Sequence, residues 1–249
     1  MKGIPLKIYC LEVTGDFACF TRPEMKVERV SYDTITPSAA RAVFEAILWK
    51  PAIRWRVTKI EVLKSIRWIS LRRNEVGAVV SVSNVKSAMN KGSGDLALYV
   101  EDERQQRASL FLRDVAYRIH AGFELCDSSG HKSNFPHLVK HPINDADEQR
   151  AADEANTLPK FMSMFERRAR KGQCVNQPYL GCREFACDFR LVEGGSAESP
   201  PIAESRDLGW MLHDLNFANP VDPKPRFFRA ELKGGVLLVP DWNDPKVRG

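Results

Sequence analysis

Arginine recurs beside aromatic residues in four blocks of this 249-residue chain: TRPEMKVERVSY (Thr21–Tyr32), KPAIRWRV (Lys50–Val57), RRNEV (Arg72–Val76) and RQQR (Arg104–Arg107). A guanidinium fork grips phosphate and lies flat against a base, and an aromatic ring gives an unpaired base a surface to stack on. Together they suit RNA, with Arg22, Lys26, Arg29, Arg72, Arg73, Arg104 and Arg107 as the cations and Tyr32, Trp49, Trp55 and Phe185 as possible platforms. Trp49 and Trp55 fall in apolar phases of their elements, so core packing is the first expectation for both. A later predicted helix adds Arg167, Arg168, Arg170 and Lys171 near its end. Cations in a last turn also complement the helix dipole, so these have an ordinary structural role open to them.

Other chemistries find no signature. The chain has no GxxxxGK, GxGxxG, HExxH or GxSxG, which removes the common nucleotide-binding, dehydrogenase, metalloprotease and serine-hydrolase patterns. His131, His137 and His141 sit close together, but their spacing is irregular and no metal site is expected there. The six cysteines form no Cys-x-x-Cys pair, so zinc and a disulfide framework are both disfavoured and reduced, mostly buried thiols are expected.

The formal charge of +5 is unevenly spread. Residues 1–80 carry fourteen basic side chains against eight acidic, and residues 157–190 carry seven against three. The segment Asn144–Glu154 is acidic. Basic patches of this kind suit a phosphate-bearing partner, and they equally describe the solvated surface of a mildly basic protein. No run of eighteen apolar residues occurs and the start lacks an apolar signal block, which points to a soluble, cytoplasmic protein.

The elements that must hold these residues follow from hydrophobic phase. A first strand runs from Leu6 to Val13, with a bulge expected where the phase slips. Thr36 caps a helix over Pro37–Trp49, ended by Pro51. A long bent strand starts at Ile53, changing phase between Val57 and Ile60. Residues 70–107 read as an extended hairpin or flexible excursion, and Val115–Leu125 as a clean strand. Asp127–Thr157 reads as a mobile surface insertion, followed by a helix over Pro159–Lys171 stopped by Gly172. Phe185–Leu191 alternates as a strand, Leu208–Phe217 is ambiguous, and Phe228–Val239 is a hairpin about Gly234-Gly235. The order predicts an α+β fold with mainly antiparallel sheet: a ferredoxin-like, RRM-type part over 1–126, the insertion over 127–157, and a helix plus β-rich region over 158–249.

From SYDTITPSAARAVFEAILWKPAIRW (Ser31–Trp55) onward, the sequence resembles the Cas-five family of CRISPR-associated proteins, in its type I-C (Dvulg) branch. RRNEV, RQQRA, RRARKGQCVNQPYLGCREF (Arg167–Phe185) and RDLGWMLHDLNF (Arg206–Phe217) continue the resemblance over nearly the whole chain, apart from the insertion. It implies an RRM-type fold with a β-rich C-terminal extension and a place in the crRNA-guided surveillance complex, Cascade. Family members hold the 5′ repeat-derived handle of crRNA and contact the backbone and large subunits, meeting target DNA only through the complex. Members of this branch usually also cut precursor RNA within its repeat, without cofactor or metal.

Such a cut uses a base to deprotonate a ribose 2′-hydroxyl, a cation to steady the phosphoryl oxygens and an acid to protonate the departing 5′-oxygen. The resemblance assigns this work to a Tyr at the position of Leu48 and a Lys-His pair at Lys160 and Phe161. Only the lysine is present. His141, following Lys140, and Tyr32 are the candidate substitutes. Two readings follow: a repeat-specific endoribonuclease, or a catalytically degenerate RNA-binding and assembly subunit. A metal-dependent DNA nuclease has little support, since no acidic pair stands at a two-metal spacing.

Overall fold

A computed structural model of the chain describes residues 7–25, 27–126, 157–193, 199–219 and 221–249. Its elements are β1 (Tyr9–Ala18), α1 (Pro37–Ile47), β2 (Ile53–Val62), β3 (Trp68–Val76), α2 (Val82–Lys91), β4 (Arg104–Leu125), α3 (Leu158–Arg170), β5 (Asp188–Val192), β6 (Arg206–Asn216), β7 (Lys224–Lys233) and β8 (Val236–Leu238). The strands form one sheet in the order β5-β1-β4-β2-β8-β7-β6, with β3 added beside β4. Each ladder is antiparallel. The result is an α+β fold with a mostly antiparallel sheet.

β4 is the spine. Its N-terminal half pairs with β3 and its C-terminal half with β2, while β1 lies against residues 112–121. At Asp114 the backbone takes a positive φ of 52°, where the strand passes from the β3 arm into the main sheet. Lys64 and Arg67 both reach the Asp114 carboxylate, at 2.5 and 3.3 Å.

α1 forms as expected. The Thr36 side chain accepts from the Ala39 N–H at 3.3 Å, Pro37 opens the first turn, and Ala40, Val43, Phe44 and Ile47 turn inward. The helix stops at Ile47, because Leu48 is already extended. α3 spans Leu158–Arg170, and Gly172 follows in the left-handed conformation. Both helices cover one face of the sheet. There Trp55 sits 4.8 Å from both Phe44 and Phe165, and Phe165 lies 4.8 Å from Tyr9. Emptying such a site, as in Phe165→Ala, costs about 3–5 kcal/mol.

The opposite face carries charge. Arg190, Glu12, Arg118 and Glu61 are direct neighbours across β5, β1, β4 and β2. Arg190 pairs with Glu12 at 2.9 Å, and Arg118 reaches Glu12 and Glu61 at 3.3 Å each. Arg118 also donates to the Ser199 carbonyl at 2.6 Å, so the following chain crosses over this face.

Several expectations change. β1 keeps one register from Tyr9 to Ala18 without a bulge; Tyr9, Leu11 and Val13 are buried, while the out-of-phase Cys10 is only partly buried on the other face. The bend in β2 does occur, as a register shift between Val57 and Lys59. Residues 70–107 hold a helix, α2, as well as the two arms of the hairpin; Val82, Val85 and Met89 fall at helical spacing, but no residue of α2 is buried. Leu208–Phe217 resolves as β6, and Gly234 and Gly235 take positive φ in the tight β7–β8 turn. β5 pairs with β1, and α3 packs against the same face of the sheet as α1. The insertion lies outside the described residues up to 156. Among the described residues, no helix is long and apolar enough to cross a membrane.

Candidate nucleic-acid interface

The three positions drawn from the family resemblance fall at the end of α1 and in the first turn of α3, two helices in contact. Leu48, at the end of α1, is 0% exposed, and its carbonyl accepts the Trp55 indole N–H at 2.9 Å. Phe161, in the first turn of α3, is 2% exposed and belongs to the same core. Lys160 is exposed, its ammonium 5.8 Å from the Phe161 ring centre. The junction is fastened by Arg168, which donates to the Ile47 carbonyl at 2.8 Å, and by the Val175 N–H, which donates to Ala46 at 2.8 Å. Of the three positions, the lysine alone is exposed and charged. It can hold a phosphate, but neither Leu48 nor Phe161 moves a proton.

Tyr32 is 1% exposed, beneath the Arg22 guanidinium at 4.5 Å. Its hydroxyl accepts the Leu212 N–H at 3.3 Å, and burial raises its pKa. That is the setting of a core phenol. His141 and Lys26 lie outside the described residues. Two imidazoles are described. His120, on the charged sheet face, lies 3.1 Å from Glu61, and burial lowers its pKa with help from Lys59. The His213 Nε2–H donates to the Pro240 carbonyl at 2.9 Å, and burial lowers the pKa of this imidazole too.

The strand cations divide by strand alternation. Arg73 and Arg107 are cross-strand partners on one face of the β3–β4 arm, while Arg72 and Arg104 project from the other. Arg73 joins Glu75 at 3.3 Å and Glu184 at 2.6 Å. Arg29 reaches the same two carboxylates at 3.7 and 3.6 Å, and Arg107 reaches Glu75 at 3.7 Å. Three guanidiniums thus share two carboxylates on the outer half of the arm. Arg29 also donates to the Cys182 sulfur at 3.5 Å. The hydrogen bond between Cys19 and Cys182 pulls the Cys182 thiol down to about 6, with Arg29 helping against the effect of burial. Gly181, with φ of 85°, allows this approach, since a Cβ there would strike the Cys19 carbonyl.

The other cations scatter. Arg22 is tied to Asp33 at 3.2 Å, which also holds Arg206 at 3.0 Å. On α3, Arg167 and Lys171 are exposed, while Arg168 points back to α1. Of the four proposed platforms, Trp55 and Tyr32 are buried and Phe185 packs 5.2 Å from Phe111. Trp49 departs from its expected core position, with 41% exposure, because it follows the end of α1 and leaves the helix's apolar phase. The charge ladder Arg190-Glu12-Arg118-Glu61 was not foreseen: its members lie apart in sequence and only strand pairing aligns them.

These features define a class: an antiparallel α+β protein with arginines displayed on a projecting strand pair and at a helix end. The family model described as CRISPR-associated protein (Cas_Cas5), of the Cas5d branch, matches residues 8–240, and the chain belongs to that family. It is 47% identical over 245 residues to a protein of Mannheimia succiniciproducens named CRISPR pre-crRNA endoribonuclease Cas5d, covering 96% of this chain and 97% of that one. A protein of the same name from Thermus thermophilus is 39% identical over 247 residues, covering 92% of this chain and 90% of that one. The fold is shared with a solved structure titled Crystal Structure of CRISPR-associated Protein, with a TM-score of 0.64 at 20% identity, covering 98% and 97% of the two chains.

Proposed function

We propose that this chain binds the 5′ handle of crRNA as a subunit of a type I-C Cascade complex and takes part in processing the precursor within its repeat. The observation that carries this reading is the match, over nearly the full length of each chain, to two relatives named pre-crRNA endoribonucleases. Its partners are then repeat RNA and the backbone and large subunits of Cascade, with target DNA met only through the complex, in the cytoplasm. We read β1, α1, β2, β4, α3 and β5 as the ferredoxin-like, RRM-type half. The strand order β5-β1-β4-β2 with both helices on one face supports this, and β6–β8 form the β-rich extension. In an RRM the open sheet face stacks bases, but here that face is filled by the Arg118 ladder. RNA contact therefore falls to the arginines of the β3–β4 arm (Arg72, Arg73, Arg104 and Arg107), to Arg22, Lys26 and Arg29, and to Arg167 and Lys171 at the end of α3, while Arg168 is taken up in fastening α3 to α1.

For cleavage, Lys160 supplies the cation. Acid and base are missing at Leu48 and Phe161, and Tyr32 is ill placed to replace them, which leaves His141 as the substitute proton carrier. Each such group is worth about 10²–10⁴-fold, so Lys160 alone makes a slow nuclease. The burial of Leu48 and Phe161 favours a second reading, in which the chain holds the handle without cutting. Purified protein with end-labelled RNA of its own repeat, in EDTA and in magnesium, separates the two. Cleavage in EDTA leaving a 2′,3′-cyclic phosphate identifies the metal-free nuclease, and a tight gel shift with no product identifies the holding subunit. Absence of any shift overturns both.

A further inference from the structure

A cleft of about 410 Å³ lies between α1, the outer edge of β2 and the chain around 213–217 and 239–242. β8 pairs with β2 only over Lys59–Glu61, so among the described residues the β2 edge from Ile53 to Val57 has no strand beside it and offers backbone donors and acceptors to the cleft. Trp49 forms one wall, and its indole has no ring or cation partner among the described residues. Of the other two tryptophans, Trp55 is packed in the core against Phe44 and Phe165, and Trp242 is already engaged by Arg226 at 4.5 Å and by His213 at 5.7 Å. The cations differ in the same way. Arg41 is held by Asp214 at 2.9 Å and Glu45 at 2.5 Å, and Arg56 by Glu124 at 2.6 Å. Arg54 lines the cleft half-buried, with no ion pair or hydrogen bond among the described residues.

An unengaged indole, an unpaired guanidinium and an open backbone edge thus meet in one enclosure. We propose that this cleft receives a single unpaired nucleotide of the bound RNA, its base stacked on Trp49, its phosphate at Arg54 and its base edge against the backbone of Ile53–Val57. The inference rests on the RNA-binding reading above and adds a site to it. The volume falls in the range of about 300–1,000 Å³ typical of small-molecule sites. A compact occupant fits better than an added peptide strand, because the Val239 N–H takes the Thr58 carbonyl at 3.0 Å and closes the edge after five residues.

The test is binding of repeat RNA by the full chain as wild type, Trp49→Ala, Trp49→Phe and Arg54→Gln, each across a salt series with thermal midpoints as the folding control. Base stacking on an aromatic is worth about 1–3 kcal/mol by alanine substitution. Trp49→Ala should therefore bind about 5- to 100-fold more weakly with an unchanged salt slope, while Trp49→Phe retains most of the affinity. Arg54→Gln should lower the slope by about 0.7, the value for one phosphate of a single strand. Wild-type protein that binds no repeat RNA would sink the functional reading and this site with it. Wild-type binding matched by Trp49→Ala and Arg54→Gln, with midpoints intact, overturns the nucleotide site alone and turns the open edge toward a protein partner.

Discussion

The Arg168 guanidinium donates to the main-chain carbonyl of Ile47 at 2.8 Å, so the last turn of α3 closes the open end of α1. The neighbouring Arg167 is exposed and makes no such bond. The two arginines should therefore separate cleanly. Arg168→Ala orphans a partly buried carbonyl, at about 1–2 kcal/mol, and should lower Tm by about 3–6 °C for a chain of this size. Arg167→Ala should leave Tm unchanged and weaken RNA binding with a shallower salt dependence. Scanning calorimetry beside filter binding checks both.

On the outer half of the arm, Glu75 and Glu184 neutralise part of the charge of Arg29, Arg73 and Arg107. The double variant Glu75→Gln, Glu184→Gln should bind RNA severalfold more tightly at low salt. Its log–log salt slope should steepen by about 0.7 for each further phosphate engaged. Equal or weaker binding would mean that these arginines face away from the RNA.

Arg118 serves Glu12, Glu61 and the Ser199 carbonyl from a site 6% exposed. Arg118→Met leaves two carboxylates facing each other across β4, and breaking a buried pair from one side costs about 3–5 kcal/mol. Urea denaturation should show a fall of that size, with no change in the slope of affinity against salt.

Stability should also fall on acidification. Burial holds His120 below the usual imidazole range, as it does His213. A histidine depressed in this way contributes fully above its unfolded pKa of about 6.5 and loses that contribution as pH falls below it. Burial pushes Glu61 upward, but Lys59, His120 and Arg118 outweigh it and keep its carboxyl low, so its contribution is lost only at more acidic pH. Tm should therefore decline between pH 7 and 5, and His120→Gln should remove part of that decline.

Leu48→Tyr combined with Phe161→His restores the proton-transfer groups that the family resemblance assigns to these positions. Cleavage of repeat RNA in EDTA should rise by at least about 10²-fold. Tm should drop, because both side chains are buried in the core. A stable double variant that binds and does not cut would place the reacting phosphate elsewhere.

The fold was legible wherever one side of an element met the core. Val43, Phe44 and Ile47 announced α1, and the phase change after Val57 announced the bend in β2. Where that condition failed, so did the reading. α2 carries Val82, Val85 and Met89 at helical spacing yet buries none of them, and Ile8 and Cys10 are apolar residues on the less buried side of the first strand, where they mimicked a bulge. The site was legible in residue type and not in direction. Arg72 and Arg73 are adjacent in sequence yet face opposite sides of the arm, and Arg168 turned out to be a helix fastener. Trp49 looked like core because its helix was expected to run two residues further.

The position of β1 in the sheet also sets a timetable for synthesis. Its first residue pairs with Ala121, and its other neighbour, β5, begins only at Asp188. At about 5–20 residues per second, β1 leaves the ribosome on the order of ten seconds before either partner exists. During that interval a nascent chain with Tyr9, Leu11 and Val13 uncovered has nothing of its own to pair with, which makes this strand the natural client of a chaperone and the step on which assembly of the core waits.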